Sequence, residues 1–225
     1  YPYGVQPSRV LYPGVALTAA VSYEIIQMLA LPISLYNYVI VFPAIMAVLA
    51  CLSIYFVGKD IGGRAVGLFS ALFLALNGSY IGRTSLGFFD DETIGILAIL
   101  VLTYAFLRSL DAERTWSSVI KYSILSGFML GWIFVTWGAA VYPFGLIIIF
   151  AFVLVLIKRY SRRLLLSYGI TCGLGLFAAV SIPRLGLQYL TNIQVLAALG
   201  VFSLLCLCEV LQNTKTTKWK LIYTL

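Results

Sequence analysis

The sequence predicts an all-α protein, a polytopic transmembrane helical bundle with about seven spans. Three observations carry this prediction. Of the 225 residues, 62% are hydrophobic and only 10% charged, whereas soluble domains carry about 25% charged residues. The apolar residues gather in runs long enough to cross a bilayer, for which about 20 are needed. The charged residues fall between those runs, and basic residues crowd into alternate gaps.

Taken in order, residues 1–35 read as part of an external loop. Within it, 12–32 follows a Pro/Gly-rich stretch and contains Glu24, Gln27 and Pro32, which predicts an amphipathic helix lying on the membrane surface, with a partial span as the alternative. Spans are predicted at 36–58, 65–81, 93–110, 118–136, 138–157, 164–182 and 193–211, making 36–211 the helical core. Residues 212–225 then read as a cytoplasmic loop that begins a further part of the protein. The chain opens on Tyr1 rather than Met, and is read as a fragment cut at both ends.

Orientation follows from the basic residues. One set of gaps holds Lys59 and Arg64, then Arg108, Arg114 and Lys121, then Lys158, Arg159, Arg162 and Arg163, then Lys215, Lys218 and Lys220. The other set holds only Arg9, Arg83 and Arg184. Basic residues mark cytoplasmic connections, so 1–35, 80–92, 136–140 and 183–192 are external. The net charge of +7 is explained by this topology and calls for no nucleic-acid partner. Cys51, Cys172, Cys206 and Cys208 lie in apolar runs and read as small buried hydrophobes. Histidine is absent, which removes imidazole acid–base chemistry and leaves carboxylates, Arg, Lys and Tyr.

The external stretch RTSLGFFDDE, Arg83–Glu92, concentrates charge at the rim of a span. Asp90 is placed to cap the next helix, with Asp91 and Glu92 in its first turn, where acids gain about 0.3–1 kcal/mol each from the helix dipole. Three adjacent carboxylates also repel. At ~4 Å and an effective dielectric of about 20, one like-charged pair costs about 4 kcal/mol, so a cation is expected. Arg83 is in the same loop, and Gly87, Phe88 and Phe89 can fold it against the membrane rim. Asp90 and Glu92 would point about 200° apart on a regular helix. They converge only if Asp90 stays outside it. Oxygen ligands suit a hard ion such as Mg²⁺ or Mn²⁺.

This stretch resembles a signature of oligosaccharyltransferase catalytic subunits, in which an external loop carries Arg, then Gly, then an Asp-x-Asp or Asp-x-Glu pair. Arg83, Gly87, Asp90 and Glu92 match it. YPYG at Tyr1–Gly4 and YPG at Tyr12–Gly14 are similar to the family's first external loop, although Val5 stands where a basic residue is usual and Arg9 follows four places later. TWG at Thr136–Gly138 resembles its short external turn. The resemblance implies the GT-C glycosyltransferase scaffold. It also implies transfer of an oligosaccharide, with inversion at C1, from a lipid-linked polyprenyl (dolichyl) phosphate or pyrophosphate donor to Asn in Asn-x-Ser/Thr of an acceptor polypeptide. Asp90 and Glu92 would be metal ligands for Mn²⁺ or Mg²⁺, with Arg83 balancing their charge. A catalytic Asp upstream of Tyr1, a later Glu-bearing loop and a soluble Trp-Trp-Asp domain belong to the family pattern and lie outside these residues, so this polypeptide alone is expected to be inactive. The GFFDDE form suggests an archaeal cell membrane, with the endoplasmic reticulum membrane as the alternative, and an active face that is external or lumenal.

Two rivals remain at this level. A polyprenyl-phosphate-dependent protein mannosyltransferase shares the scaffold but places its acids in the first external loop. A transporter would carry ionisable groups near the bilayer midplane, whereas here the carboxylates gather at one rim. Arg184 is a further candidate contact for a lipid phosphate, against simple snorkelling. Trp137 and Tyr142 could meet the carrier, or could anchor the chain among membrane lipids. Pro43 and Pro143 are expected to kink their spans, Asn77-Gly78-Ser79 is a chance sequon, and Asp111 and Glu113 are expected to be solvated.

Overall fold

The computed structural model describes Gly4 and residues 10–224, with side chains described up to Gln212 and at Thr214. Among these, all regular structure is helical. Helix α1, Gly14–Met28, falls within the predicted 12–32 segment, shortened to 15 residues. Leu17, Val21, Ile25 and Met28 form an exposed apolar stripe along it. Val15 and Ala19 on its other side pack into a cluster with Tyr38, Phe42, Met46 and Ile94. The Tyr38 hydroxyl donates to Ser22 Oγ at 2.6 Å, fixing α1 to the next helix.

Helix α2, Leu35–Ala75, begins at Ser34, whose hydroxyl accepts from Asn37 N–H. Two residues inside it leave helical geometry, Gly62 and Gly63, the latter at φ +82°. Glycine alone adopts that backbone without strain. The chain folds back there: a Cβ on Gly67 would lie 2.7 Å from the Tyr55 carbonyl, and one on Gly58 3.0 Å from Gly67 Cα. Pro43, expected to kink, is buried inside the regular part of the first leg. Among the described residues six helices are long and apolar enough to cross a membrane, and α2 is one of them. Its fold-back supplies the extra leg that makes the predicted number about seven.

The predicted second span, 65–81, stops at Ala75. Asn77 Oδ1 accepts from Tyr80 N–H at 2.9 Å and starts a new short helix, α3, Gly78–Thr84. Helix α4, Asp91–Leu110, and α5, Trp116–Thr136, follow, the latter capped by Thr115. A 3₁₀ turn, Gly138–Ala140, joins α5 to α6, Val141–Leu156. Pro143 falls in the first turn of α6, where its missing N–H breaks no helical bond, so the expected kink has no cause there. Helix α7, Arg162–Ser181, is capped by Ser161. A second 3₁₀ turn, Leu187–Thr191, leads to α8. Helix α8 runs Ile193–Thr224, so the loop predicted from 212 is a continuation of the last helix. The side chains of Lys215, Lys218 and Lys220 lie outside the described residues.

Helix α5 sits between α4 and α7, and small residues allow the close approach. Cβ atoms on Gly127 and Gly131 would fall 2.8 Å from Leu174 and 2.7 Å from Ala178 of α7. Ser123 Oγ donates to Ser167 Oγ at 3.0 Å across the same interface. Around it pack the buried Leu130, Ile133, Phe134, Phe144, Leu164 and Tyr168. The Tyr168 hydroxyl donates to the Ala198 carbonyl at 3.0 Å, tying α7 to α8. The cysteines are unbridged. Cys172 is buried and the other three half-buried.

The predicted cytoplasmic end is stitched by ion pairs. Arg108 meets both carboxylate oxygens of Asp60 and donates to the Tyr122 hydroxyl at 2.9 Å. Arg162 meets Glu209 at 2.6 Å, and the Tyr160 hydroxyl donates to the same carboxylate at 2.7 Å. Asp111, expected to be merely solvated, pairs with Arg114 at 3.2 Å, and its backbone carbonyl accepts from Arg163.

Candidate functional site

At the opposite end, α3 delivers Arg83 and α4 begins with the acids. Asp90 has extended backbone, φ −138° and ψ 169°, and stands just outside α4. Its Oδ1 accepts from Asp91 N–H at 2.8 Å. The capping role is therefore real. The irregularity needed for convergence is present as well: Arg83 lies 3.2 Å from Glu92 and 3.9 Å from Asp90. One guanidinium thus answers two of the three carboxylates. Both ends of the Asp90 pair are about half-exposed, whereas the Glu92 side chain is 23% exposed. Glu92 Oε2 is buried and has no hydrogen-bond partner.

The loop is held by contacts its own sequence does not announce. Gly87 has φ +81° and donates its N–H to the Ile40 carbonyl at 2.9 Å. Phe89 packs on Phe42 with ring centres 5.5 Å apart, and Phe88 lies 5.5 Å from the Arg83 guanidinium. Buried Thr93 donates towards the carbonyls of Phe88, at 3.3 Å, and Arg83, at 3.5 Å. Its hydroxyl closes the loop onto α4. Gly87 and Phe89 anchor the loop to the first leg of α2, and Asp90 stays half-exposed. Thr93 and Ile40 are the residues sequence reasoning misses. Thr93 was visible only as a polar residue next to Glu92.

Three more segments reach this end. Trp137, which could have been a lipid-facing anchor, packs on α4 at Gly95, where a Cβ would overlap its ring. Tyr142 is exposed on the outer face of α6, away from any such contact. Arg184, in the α7–α8 connection, stands 4.0 Å from the Tyr12 ring centre and within electrostatic reach of Asp91. Nearby, burial and the neighbouring Tyr12 push the Tyr189 hydroxyl above its ordinary pKa. Arg9 lies outside the described residues.

Among the described residues no three His, Cys, Asp or Glu side chains converge as a metal site would require. What the site offers a cation is the Asp90–Glu92 pair, at present facing Arg83, with one buried carboxylate oxygen of Glu92 unsatisfied. That donor chemistry fits a hard divalent ion whose remaining ligands are water, substrate or groups from elsewhere.

Comparison with known proteins gives consistent matches over nearly the whole chain. The family model described as oligosaccharyl transferase STT3, N-terminal, matches residues 1–224. The chain is 30% identical over 205 residues to the dolichyl-diphosphooligosaccharide–protein glycosyltransferase subunit STT3B of Oryza sativa subsp. japonica, covering 91% of this chain and 28% of that protein. It is also 30% identical over 206 residues to subunit STT3 of Saccharomyces cerevisiae, again covering 91% and 28%. A crystal structure of the Archaeoglobus fulgidus oligosaccharyltransferase with Zn and sulfate superposes with a TM-score of 0.71 at 19% identity, over 97% of this chain and 29% of that one. The same organism's AglB, with an inhibitory peptide and a dolichol-phosphate, superposes with a TM-score of 0.69 at 19% identity, over 97% and 27%. The chain therefore spans less than a third of the length of the relatives it matches.

Proposed function

The chain belongs to the oligosaccharyl transferase STT3 family, and from that premise we propose that it is the membrane-embedded part of an enzyme that transfers an oligosaccharide from a dolichyl-type lipid carrier to Asn of Asn-x-Ser/Thr in an acceptor polypeptide. One observation supports the reading above the others: Arg83, Asp90 and Glu92 gather at one rim of the bundle, with a Glu92 oxygen left unsatisfied. A carrier whose tail stays in the bilayer presents its reacting phosphate at that rim. The names of the rice and yeast relatives carry the same activity, and the archaeal neighbour with dolichol-phosphate and a peptide carries the same pair of ligands.

In the proposed step the acceptor amide nitrogen forms a bond to C1 of the sugar. The C1–O bond to phosphate breaks with inversion, the carrier leaves as an anionic phosphate, and the proton lost by the amide nitrogen passes to solvent water. Asp90 and Glu92 would hold a divalent cation, Mn²⁺ or Mg²⁺, which supplies Lewis-acid stabilisation to the departing phosphate when bound. Arg83 keeps both carboxylates aligned and offsets their mutual repulsion. Carboxylate oxygens that accept the amide N–H groups orient the nitrogen for attack. Asp91, turned from Arg83 into the first turn of α4, stabilises the helix start. The active face is the one opposite the basic connections, external or lumenal, in an archaeal or endoplasmic reticulum membrane.

The test uses the full-length protein, a lipid-linked oligosaccharide and an Asn-x-Thr peptide, with Mn²⁺ or with chelator. Asp90→Ala and Glu92→Ala are each expected to lower transfer at least about 100-fold, the scale of losing one electrostatic stabiliser of a transition state. Wild-type rates in both variants, or transfer indifferent to chelator, would overturn the metal-site roles.

A further inference from the structure

The two legs of α2 touch near the fold and part beyond it. Close to Gly62–Gly63 they are pressed together: a Cβ on Gly67 would lie 2.7 Å from the Tyr55 carbonyl. Further along, a wedge of about 680 Å³ opens between the legs, and α3 closes its far end. The first leg contributes Cys51 and Tyr55, the return leg Leu68 and Ala71, and α3 contributes Tyr80. Ligand sites commonly enclose about 300–1,000 Å³, so the wedge is large enough to hold part of a lipid.

The chemistry of the wall narrows the occupant. Val48, Leu52, Leu68 and Ile81 are exposed at the mouth, on and beside a helix apolar enough to cross a membrane, so the wedge opens onto hydrocarbon. None of the described residues lining it is charged, which offers nothing to a phosphate or an ammonium group. The Thr84 and Ser85 hydroxyls in the wall are spent on the carbonyls of Tyr80 and Gly82. Tyr80 is different: it is 6% exposed, and its buried hydroxyl has no hydrogen-bond partner. That hydroxyl is within electrostatic reach of Cys51, which also lines the wedge. Buried tyrosine hydroxyls usually find a partner, and a bilayer core has no water to supply one. The occupant that fits is a long apolar chain carrying one neutral oxygen. Tyr80 lies one turn before Arg83 in α3, so that oxygen belongs at the headgroup end of the chain.

We infer that the wedge between the legs of α2 is a binding site for one membrane glycerolipid, with an acyl or isoprenyl chain between the legs and an ester or ether oxygen accepting from the Tyr80 hydroxyl. A chain seated there supports α3, which carries Arg83 in its last turn. The wedge stands apart from the Arg83–Asp90–Glu92 site, and its occupancy is read by labelling whether or not the protein transfers a glycan.

The experiment places the full-length protein in nanodiscs with a phosphatidylcholine that bears a diazirine in one acyl chain. Extraction into detergent sheds loosely held lipid, and irradiation then marks what stays bound. Label is expected on residues 47–55 and 68–75, and not on Ile149 and Val153, which are exposed on α6 and serve as the control for unspecific lipid. Ala71→Phe, which fills the wedge, is expected to abolish the label. Tyr80→Phe keeps the ring and removes only the hydroxyl, and is expected to lower the label about 2- to 10-fold, the scale of one hydrogen bond. An unlabelled wedge in the wild-type protein would overturn the inference, as it would if another part of the protein covers the wedge. So would wild-type labelling in Tyr80→Phe, or label persisting in a folded Ala71→Phe. Displacement of the label by an equal amount of dolichyl phosphate would also overturn it, since the wedge would then belong to the carrier and not to a glycerolipid.

Discussion

Gly95→Ala isolates the contact that sets where α4 begins. A Cβ there would overlap one carbon of the Trp137 ring and stand 3.1 Å from two more, against an optimal carbon–carbon separation of about 3.5–4.0 Å. The ring is fused into the core beside the turn after α5, so it cannot swing clear as a flexible chain end would. Either α4 or Trp137 must shift by about 1 Å. Overpacking of this kind costs about 1–3 kcal/mol, and replacing a helical glycine returns up to about 1 kcal/mol. The net expectation is a loss of about 1 kcal/mol. The functional loss is larger, because Asp91 and Glu92 occupy the turn just before Gly95 and move with it. A displacement of about 1 Å costs about 100-fold in rate where reacting groups must be aligned. Gly173→Ala is the control: that glycine is exposed on α7 and a Cβ there would meet nothing within 4 Å. Thermal unfolding and glycan transfer by the full-length protein would be measured for both. Equal activity and equal stability in the two variants would refute the packing argument and, with it, the idea that Trp137 sets the position of the acids.

Other expectations follow from the same geometry. Gly87→Ala forces a side chain into φ +81° and is expected to cost about 1 kcal/mol or more, seen as faster proteolysis of the 85–90 loop; resistance equal to wild type would argue against strain there. Breaking the Asp60–Arg108 pair with Asp60→Asn and Arg108→Met should reveal a coupling of about 1–2 kcal/mol in a double-mutant cycle, since both side chains are partly buried and the contact is two-pronged. Ser123→Ala removes the hydroxyl bridge between α5 and α7 and should lower stability by only about 0.6 kcal/mol in a bilayer mimic. A loss several times larger would mean that Ser123 serves more than Ser167.

Much of the bundle was legible because the bilayer imposes length and composition on every crossing. The spans from α4 onwards fall within a few residues of the predicted limits, and the positions of Asp90, Asp91 and Glu92 at a helix start could be read from the acids themselves. The missed features are those that hydropathy does not encode. Hydropathy places the break between 36–58 and 65–81, where Gly62–Gly63 folds the helix, but it cannot tell that Asn77 recaps the return leg. Glu92 and Arg83 could be proposed as partners because they share a loop. Arg184 and Tyr12, or Trp137 and Gly95, are far apart in the chain and meet only after helices choose neighbours. The end of α8 was misjudged for a related reason: the polar run from Gln212 loses lipid as a partner, yet its residues still favour a helical backbone.

The folded-back α2 also acts as a ruler. Its return leg, Arg64–Ala75, rises about 18 Å, well short of a hydrocarbon layer about 30 Å thick. Helix α3, about 10 Å long, continues from the Asn77 break and carries Arg83 in its last turn. The height of the charged loop above the opposite leaflet is thereby graduated in helical residues. A bilayer a few ångströms thicker would draw that loop under the headgroups, and a thinner one would lift it into water, so membrane thickness becomes a setting for how deeply the arginine and its acids are submerged.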